Sequence, residues 1–510
     1  MTRPGILLSI AGHDPTGGAG LGTDLAAWQA MGLHGASVCT ALTVQDRRGV
    51  HEIVPTPPAT LRAALAAATQ ELAPAAVKLG MLGSDAVAAE VAQFCQQVDA
   101  PVVWDTVLGA AAGGDLLSAS PATLRRLALA STVITPNRIE AARLLGVEPW
   151  QGDGAPPASW LRAVREQWLG GPRTRAVVLK GGHADGARSV DWVCTRDALH
   201  ALSVPRLADG PGGRVHGTGC LYASTLAGML AQGADPLQAA VEAQWRTHAG
   251  IAGAWRGAGA RAMVRAGAIP GSDSFPALSG DTVDDEPAGE ARAFAALRRA
   301  PGLYPVLPDA DWVVRLLDLG VDTLQLRWKG AGDAERRAQV RAASDAARAR
   351  GAQLFINDHW RDALDAGAYG VHLGQQDLPG ADLRALREAG LRLGVSTHDL
   401  AELARAHALR PSYIALGPVW PTTLKAMPYA PLGLARLSDW TARCKPRYPV
   451  VGIGGISLER VAAAMDCGLD GVAVVGAVVG ATDAGAALRR GRAIAEAALQ
   501  HRQACAAARD

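Results

Sequence analysis

Residues 449–478 read PVVGIGGISLERVAAAMDCGLDGVAVVGAV. Two apolar, β-branched runs, PVVGIGGI and GVAVVGAV, flank an alanine-rich amphipathic stretch, LERVAAAMDCG, so the segment reads as strand, helix, strand. The runs are continuously apolar rather than alternating, which suits parallel strands covered on both faces. The same unit recurs upstream. Comparable runs stand at LYPVLP (303–308), TLQLRWK (323–329), QLFIND (353–358), GVHLG (370–374), RLGVST (392–397) and YIALGPVW (413–420), with helical segments such as AERRAQVRAASDAARARG between them. Eight such units, over roughly the 200–250 residues a (β/α)8 fold needs, predict a closed TIM barrel.

A barrel of this kind carries its chemistry at the carboxyl ends of its strands. Polar residues stand there in the sequence: Gln325, Arg327 and Lys329, then Asn357 and Asp358, Ser396 with Thr397 and His398, and Thr422 with Lys425. Glycines follow the last two strands at Gly454, Gly455 and Gly476, where barrels usually hold a phosphate. The period of two points Gln325, Arg327 and Lys329 to one face. Two cations and an amide facing inward call for an anionic ligand, and a diphosphate fits; the other reading is a strand edge with solvated charges. Asp358 and Asp377 end neighbouring strands and suit Mg2+; each alone reads equally as a helix cap.

The first half also alternates strands and helices, through ILLSIAG, ASVCTALTVQ, AVKLGML, PVVWDTV, VITPN and AVVLKGG, but with uneven spacing. That predicts an open, mostly parallel sheet with helices on both faces. PGSDSFPALSGDTVDDEPAGE (270–290) is the clearest break, rich in Pro, Gly, Ser and acid. We therefore divide the chain into residues 1–268, a linker over 269–299, and 300–510. The shorter polar stretch QGDGAPPAS (151–159) reads as a surface loop.

A net charge of +2 without a basic stripe predicts neither a nucleic-acid nor a membrane partner. The seven cysteines (Cys39, Cys95, Cys194, Cys220, Cys444, Cys467, Cys505) are scattered and form no CxxC pair, which points to a reducing compartment and a cytoplasmic protein. The apolar run near the N-terminus ends in glycines and reads as a first strand rather than a signal peptide.

Four motifs of the first half carry chemistry. GHDPTGGAGLGTD (12–24) is a glycine cluster leaving the first strand; it lacks the P-loop pattern and reads as a turn or as a substrate loop, with Asp24 able to accept a hydrogen bond from a polar substrate. HGTGC (216–220) precedes an apolar helix, so its free backbone N–H groups can face an anion, and Cys220 at the helix entrance is expected to have a lowered pKa and to take a proton. The other reading is a small turn with a buried cysteine. TPNRIE (135–140) sets Asn137 and Glu140 three apart, able to organise water around Mg2+ or simply to cap a helix. LKGGH (179–183) ends a strand in glycines suited to a nucleotide.

The order AGHDPTGGAG, TALTVQDRRGV, KLGML, DTV, TPNxxE, KGGH, HGTGC resembles the hydroxymethylpyrimidine/phosphomethylpyrimidine kinases of the ribokinase-like superfamily, over roughly residues 5–265. The resemblance implies a three-layer α/β/α domain and two ATP- and Mg2+-dependent phosphoryl transfers. It puts Gln45 on the aminopyrimidine edge, Asp24 in that pocket, Gly217 and Gly219 in an anion hole, Cys220 as proton acceptor, and Asn137, Glu140 and Lys180 on the Mg2+–nucleotide side. The family commonly reads AKSG where this chain has AAAGG (110–114), and Thr where it has Val215.

The second half resembles thiamine phosphate synthase over roughly 300–490, through GLY, LQLRWK, IND, VHLGQQDL, GVSTH, LGPVWPTTLK, VGIGGI and GVAVVGA. That family joins hydroxymethylpyrimidine diphosphate to a thiazole phosphate carboxylate and releases pyrophosphate. The resemblance places Mg2+ on Asp358 and Asp377, with Arg327, Lys329 and Lys425 on the leaving diphosphate. Gln325, Asn357 and Ser396 orient the pyrimidine and the diphosphate, and Thr422, the Leu424 backbone, Gly455, Val475 and Gly476 hold the thiazole phosphate. Leu424 stands where the family usually has a hydroxyl. A homodimer through the first half is implied as well. Two competing readings remain: a pyridoxine-type kinase in front, or a front domain decayed to a non-catalytic module.

Overall fold

A computed structural model describes residues 5–46, 49–109, 116–151, 154–182, 186–208, 215–256, 262–280, 292–422 and 429–507. The chain forms two compact units that part between Asp281 and Thr282. Among the described residues no helix is long and apolar enough to cross a membrane.

The first unit is built on a ten-stranded sheet. Its strands are β1 (Ile6–His13), β2 (His34–Asp46), β3 (Gly49–Pro55), β4 (Ala76–Leu79), β5 (Val102–Trp104), β6 (Val133–Ile134), β7 (Ala176–Leu179), β8 (Arg188–Cys194), β9 (Leu199–Pro205) and β10 (Ala277–Gly280). They lie in the order β10-β9-β8-β7-β6-β5-β4-β1-β2-β3. The six strands read from the sequence make the parallel centre. The side chains of β1, β4, β5, β6 and β7 are buried almost throughout, as strands covered on both faces require, whereas β2 is only partly covered, with Val38, Thr40, Ala41 and Thr43 buried and Leu42 and Val44 exposed. The antiparallel strands β3, β8, β9 and β10 sit at the two edges and were not legible, because polar residues interrupt their short apolar runs.

Strand β10 corrects the domain division. Residues 269–280 belong to the first unit rather than to a linker. Ala277–Gly280 pairs with β9, and Phe275 packs edge-on against Trp245 with ring centroids 5.1 Å apart. The Trp245 indole donates to the Gly271 carbonyl at 3.0 Å. Polar composition disguised this segment, because an edge strand and its turn need few apolar residues. The end of the expected linker is also structural: Phe294 is buried, and the Arg298 N–H donates to Gln353 and Tyr369 beneath the barrel.

The second unit is a closed barrel of eight parallel strands. These are β11 (Gly302–Leu307), β12 (Thr323–Leu326), β13 (Gln353–Asn357), β14 (Gly370–Leu373), β15 (Arg392–Thr397), β16 (Tyr413–Leu416), β17 (Val450–Gly452) and β18 (Gly471–Val474). Each matches one of the runs read from the sequence, and β18 pairs back onto β11 to close the wall. The interior is filled by large rings: Tyr304, Phe355 and Tyr413 meet edge-to-face with centroids 5.0–6.0 Å apart. Tyr413 crosses the space left by Gly394, where an added Cβ would lie 2.2 Å from its ring. Gly394→Ala should therefore overpack the barrel and cost about 1–3 kcal/mol. Calorimetry would show this as a fall in the barrel's unfolding temperature, recovered in part by Tyr413→Leu.

Candidate active sites

The two glycine motifs of the first unit lie back to back. Gly217 begins helix α1 (Thr218–Ala231) with φ +83, and a Cβ there would come within 2.0 Å of the Gly18 carbonyl oxygen. Only glycine satisfies both the backbone conformation and the approach. A polar clamp holds the two loops together: His216 Nε2 lies 3.0 Å from Asp14 Oδ2, and Asp14 Oδ1 accepts from the N–H and hydroxyl of Thr16. Burial works against the Asp14 carboxylate, but hydrogen bonds from His216 and Thr16 outweigh it and hold its pKa below the usual range. Val215 serves packing, in an apolar cluster with Ala27, Leu221 and Val264.

Asp24 does not line a pocket. It is fully buried, and its oxygens accept from Ser9, Ser224 and Lys78 at 2.6–2.9 Å. The expected substrate contact fails because every side of this carboxylate is spent inside the core. Its partner Lys78 is equally buried; burial disfavours its charge, yet Asp24 holds the proton on and raises its pKa.

Beside the Gly217 turn, the ends of β5, β6 and β7 bring polar groups together. Lys180 Nζ pairs with Asp105 at 2.9 Å, and both lie about the nest, 3.4–3.5 Å from where a Cβ of Gly219 would stand. Asn137 Oδ1 accepts from the Ile139 and Glu140 N–H groups, while Glu140 Oε2 accepts from the Asn137 N–H and the Thr106 hydroxyl. This is a complete capping box. The Asn137 oxygen is thereby occupied, so Glu140 and Asp105 are the available carboxylates. Burial raises the Glu140 pKa, opposed by Lys180 and reinforced by Asp105.

Cys220 overturns an expectation. Its pKa is not lowered; burial pushes the thiol up to about 11, with Asp24 and Asp105 adding to the rise and Lys78 opposing it. The helix entrance does not compensate for removal from water and two nearby carboxylates. Gln45 stands half-buried opposite Val50, and the β2–β3 hairpin packs through Val50 and Ile53 near Met81 and Val107, which follow β4 and β5. Residues 110–114 lie outside the described residues.

In the barrel, β12 ends at Leu326, so the expected alternation runs on only as an exposure gradient. Gln325 points into the filled interior, Arg327 is half-buried and Lys329 is exposed. Lys329 Nζ faces Asp358 Oδ2 across 3.7 Å. Asp358 has φ +64, the left-handed region that Asp tolerates better than bulkier residues. Asp377 follows β14, its Oδ2 lying 3.0 Å from where a Cβ of Gly374 would be. Asp358 donates its N–H to His372 on β14, which joins the two strand ends. Two carboxylates at neighbouring strand ends fit Mg2+, which keeps several waters and completes its shell with phosphate oxygens. Among the described residues no cluster of three or more metal-ligating His, Cys, Asp or Glu side chains exists.

Asn357 and Ser396 stand at the ends of β13 and β15. Gly455, at φ +66, lies against Trp420 and Pro421, just before Thr422; Val475 and Gly476 open a short helix after β18. Leu424 and Lys425 lie outside the described residues.

The thiamine monophosphate synthase family model matches residues 303–478, and the phosphomethylpyrimidine kinase model matches residues 14–262. Over 190 residues the chain is 54% identical to the thiamine-phosphate synthase of Serratia proteamaculans, covering 37% of this chain and 89% of that relative. The synthase of Cronobacter sakazakii is likewise 54% identical over 190 residues, with 90% of its length covered. The chain belongs to the thiamine-phosphate synthase family. Its kinase unit is similar to a solved phosphomethylpyrimidine kinase from Clostridium difficile, at 27% identity, 46% of this chain, 94% of that chain and a TM-score of 0.39. It is also similar to an ADP complex of Bacillus subtilis pyridoxal kinase, at 26% identity, 52% of this chain, 98% of that chain and a TM-score of 0.46.

In the kinase unit the structure adds residues that the sequence left unassigned: Asp14 and His216, the buried Lys78, and Asp105 with Thr106. All stand inside motifs already singled out, AGHDP, KLGML, DTV and HGTGC, and all but Thr106 are ionisable; charge in or just after an apolar strand was the available signal for Asp14, Lys78 and Asp105. In the synthase unit, Tyr304, Tyr413 and His372 went unnoticed because nothing local marks a core aromatic or histidine as more than packing. Breaking the Asp24–Lys78 pair by Lys78→Met should destabilise the kinase unit by about 3–5 kcal/mol, since a lone buried carboxylate remains. Replacing both, with Asp24→Leu added, should recover most of that loss in chemical denaturation.

Proposed function

We propose that this chain makes thiamine phosphate in consecutive steps. The kinase unit phosphorylates 4-amino-5-hydroxymethyl-2-methylpyrimidine and then its monophosphate with ATP. The synthase unit joins the diphosphate to a thiazole phosphate (carboxylate) and releases pyrophosphate. One observation carries the reading: a single chain holds both matched segments, and the product of the first reaction is the substrate of the second.

In the kinase unit, the N–H groups around Gly217 and Gly219 receive the phosphoryl group in transfer, with Lys180 neutralising charge beside them. Gln45 reads the pyrimidine edge. Glu140 and Asp105 are the groups that would hold Mg2+ through water; Mg2+, when bound, offsets phosphate charge. The substrate hydroxyl loses its proton as the new O–P bond forms, and Cys220 is placed to accept it. Because that thiol is raised to about 11, little thiolate exists near neutrality. The first-step kcat/KM should therefore rise about tenfold per pH unit between pH 7 and 9, and Cys220→Ser should abolish that slope. A flat profile would transfer the proton to Asp105.

In the synthase unit, Gln325, Asn357 and Ser396 orient the pyrimidine. Arg327, Lys329 and Lys425 meet the diphosphate as the C–O bond breaks and charge grows on the leaving oxygens. Asp358 and Asp377 would hold Mg2+, which adds charge neutralisation there. The thiazole nitrogen then attacks the pyrimidine methylene, its phosphate held by Thr422, the Leu424 backbone, Gly455, Val475 and Gly476. The free cysteines among the described residues favour a cytoplasmic setting. The exposed Leu42, Val44 and Val54 on the β2–β3 edge favour a homodimer through the kinase unit.

The intact chain, given pyrimidine alcohol, ATP, Mg2+ and thiazole phosphate, should yield thiamine phosphate and pyrophosphate. Asp358→Asn should stop the second step and let pyrimidine diphosphate accumulate, followed by chromatography. Neither diphosphate nor thiamine phosphate from the wild-type chain, and no diphosphate from Asp358→Asn, would overturn the kinase assignment; diphosphate without thiamine phosphate from the wild type would overturn the synthase assignment.

A further inference from the structure

A single file of hydrogen bonds crosses the barrel interior and joins two residues placed at the pyrimidine. Gln325 is on β12 and Ser396 on β15, three strands apart around the wall. Gln325 Nε2 donates to Tyr304 Oη at 3.1 Å, and Tyr304 Oη meets Tyr413 Oη at 2.9 Å. Tyr413 Oη lies 2.7 Å from His372 Nδ1, and His372 Nε2 lies 2.8 Å from Ser396 Oγ. Every member is buried except Ser396, which is partly exposed. Gln375 holds the Ser396 carbonyl from the side at 2.8 Å, and Arg405 holds Gln375 at 2.9 Å.

Each hydroxyl has one hydrogen, so the direction of the file follows from its first member. Tyr304 accepts from the Gln325 amide and must give its hydrogen to Tyr413. Tyr413 then gives its own to His372 Nδ1. With Nδ1 accepting, the imidazole is neutral with its hydrogen on Nε2, and it donates to Ser396. Ser396 is left to present its hydrogen outward, while the Gln325 amide has its carbonyl oxygen for the ligand. The opposite setting is equally consistent within itself: Gln325 would offer its NH2, and Ser396 would only accept. The two ends cannot be set independently.

An aminopyrimidine shows an amino donor beside a ring-nitrogen acceptor, which matches a Gln325 acceptor and a Ser396 donor. The 4-oxo pyrimidine shows the reverse, a carbonyl acceptor beside a ring N–H. We propose that Tyr304, Tyr413 and His372 are positioning residues that couple Gln325 to Ser396 and so make the barrel select amino- over oxopyrimidine diphosphates. Accepting the oxo compound means reversing every bond of a buried file, whereas a site with uncoupled ends need turn only one group. The space Gly394 leaves for the Tyr413 ring is part of the same device.

The inference rests on the synthase reading proposed above, so the comparison starts from wild-type chain shown to turn over the aminopyrimidine diphosphate; failure there sinks the function, not the file. Amino and 4-oxo diphosphates are then compared by kcat/KM in wild type, Tyr413→Phe, Tyr304→Phe and Ser396→Ala. Either Phe variant should lower the amino-to-oxo ratio on the order of tenfold or more, the worth of one hydrogen bond. Tyr413→Phe added to Ser396→Ala should lower the ratio no further. Equal losses for both substrates, or additive losses in the double variant, would overturn the coupling. Nitrogen NMR of the intact chain, with His372→Gln to assign the signal, gives a readout independent of turnover and of how the Phe variants fold. The Nε2–H tautomer is expected, and an Nδ1–H tautomer or an imidazolium at neutral pH would refute the proposed polarity.

Discussion

Parallel strands covered on both faces impose a constraint on everything else in this chain. Their middles must be apolar, because no water reaches either side, and their backbones are satisfied only by neighbours in the sheet. Chemistry is pushed to the ends. All the strands of a parallel set end on the same edge, so residues far apart in sequence arrive together without any local rule bringing them there. Asp105, Asn137 and Lys180 meet in this way at the ends of β5, β6 and β7, beside the nest before α1. Lys329 and Asp358 meet in the same way at the barrel rim, with Asp377 following the neighbouring strand.

The polar groups that do enter the interiors obey the complementary rule, that a buried donor or acceptor must find a partner. Asp24 is enclosed by Ser9, Ser224 and Lys78. Asp191, whose pKa is raised by burial, accepts from the Gly181 N–H and from Gln244, and thereby fixes the turn that follows Lys180. In the barrel the requirement is met by a file of rings and hydroxyls. Burial leaves His372 poorly able to take a second proton, with its pKa lowered to about 4. A neutral imidazole carries one hydrogen and one lone pair, which lets it pass on direction as well as hold position.

The sequence made the architecture plain where the signal is periodic. The eight barrel runs and the six central strands of the kinase unit are continuous apolar stretches set off by amphipathic helices, and each became a strand. The edges were silent: β10 hides in a segment whose Pro, Ser and Asp content looks like linker, because so short a strand buries only Ala277 and Leu278. Candidate site residues were nominated where a motif is rare, as with HGTGC and LQLRWK, and their environment was misread where burial decides. Asp24 and Cys220 both sit in such motifs, yet packing made one a core ion pair and the other a thiol of raised pKa.

By itself, then, the sequence determined the two-part α/β organisation, the strand count of the barrel and the residue types collected at the strand ends. These depend on local periodicity and on motifs a few residues long. Only the tertiary structure decided which of those side chains face one another, which are consumed by neighbours, and that Gln325 communicates with Ser396 through Tyr304, Tyr413 and His372. Partnership and dielectric are properties of the space around a group, and that space is made by residues distant in the chain.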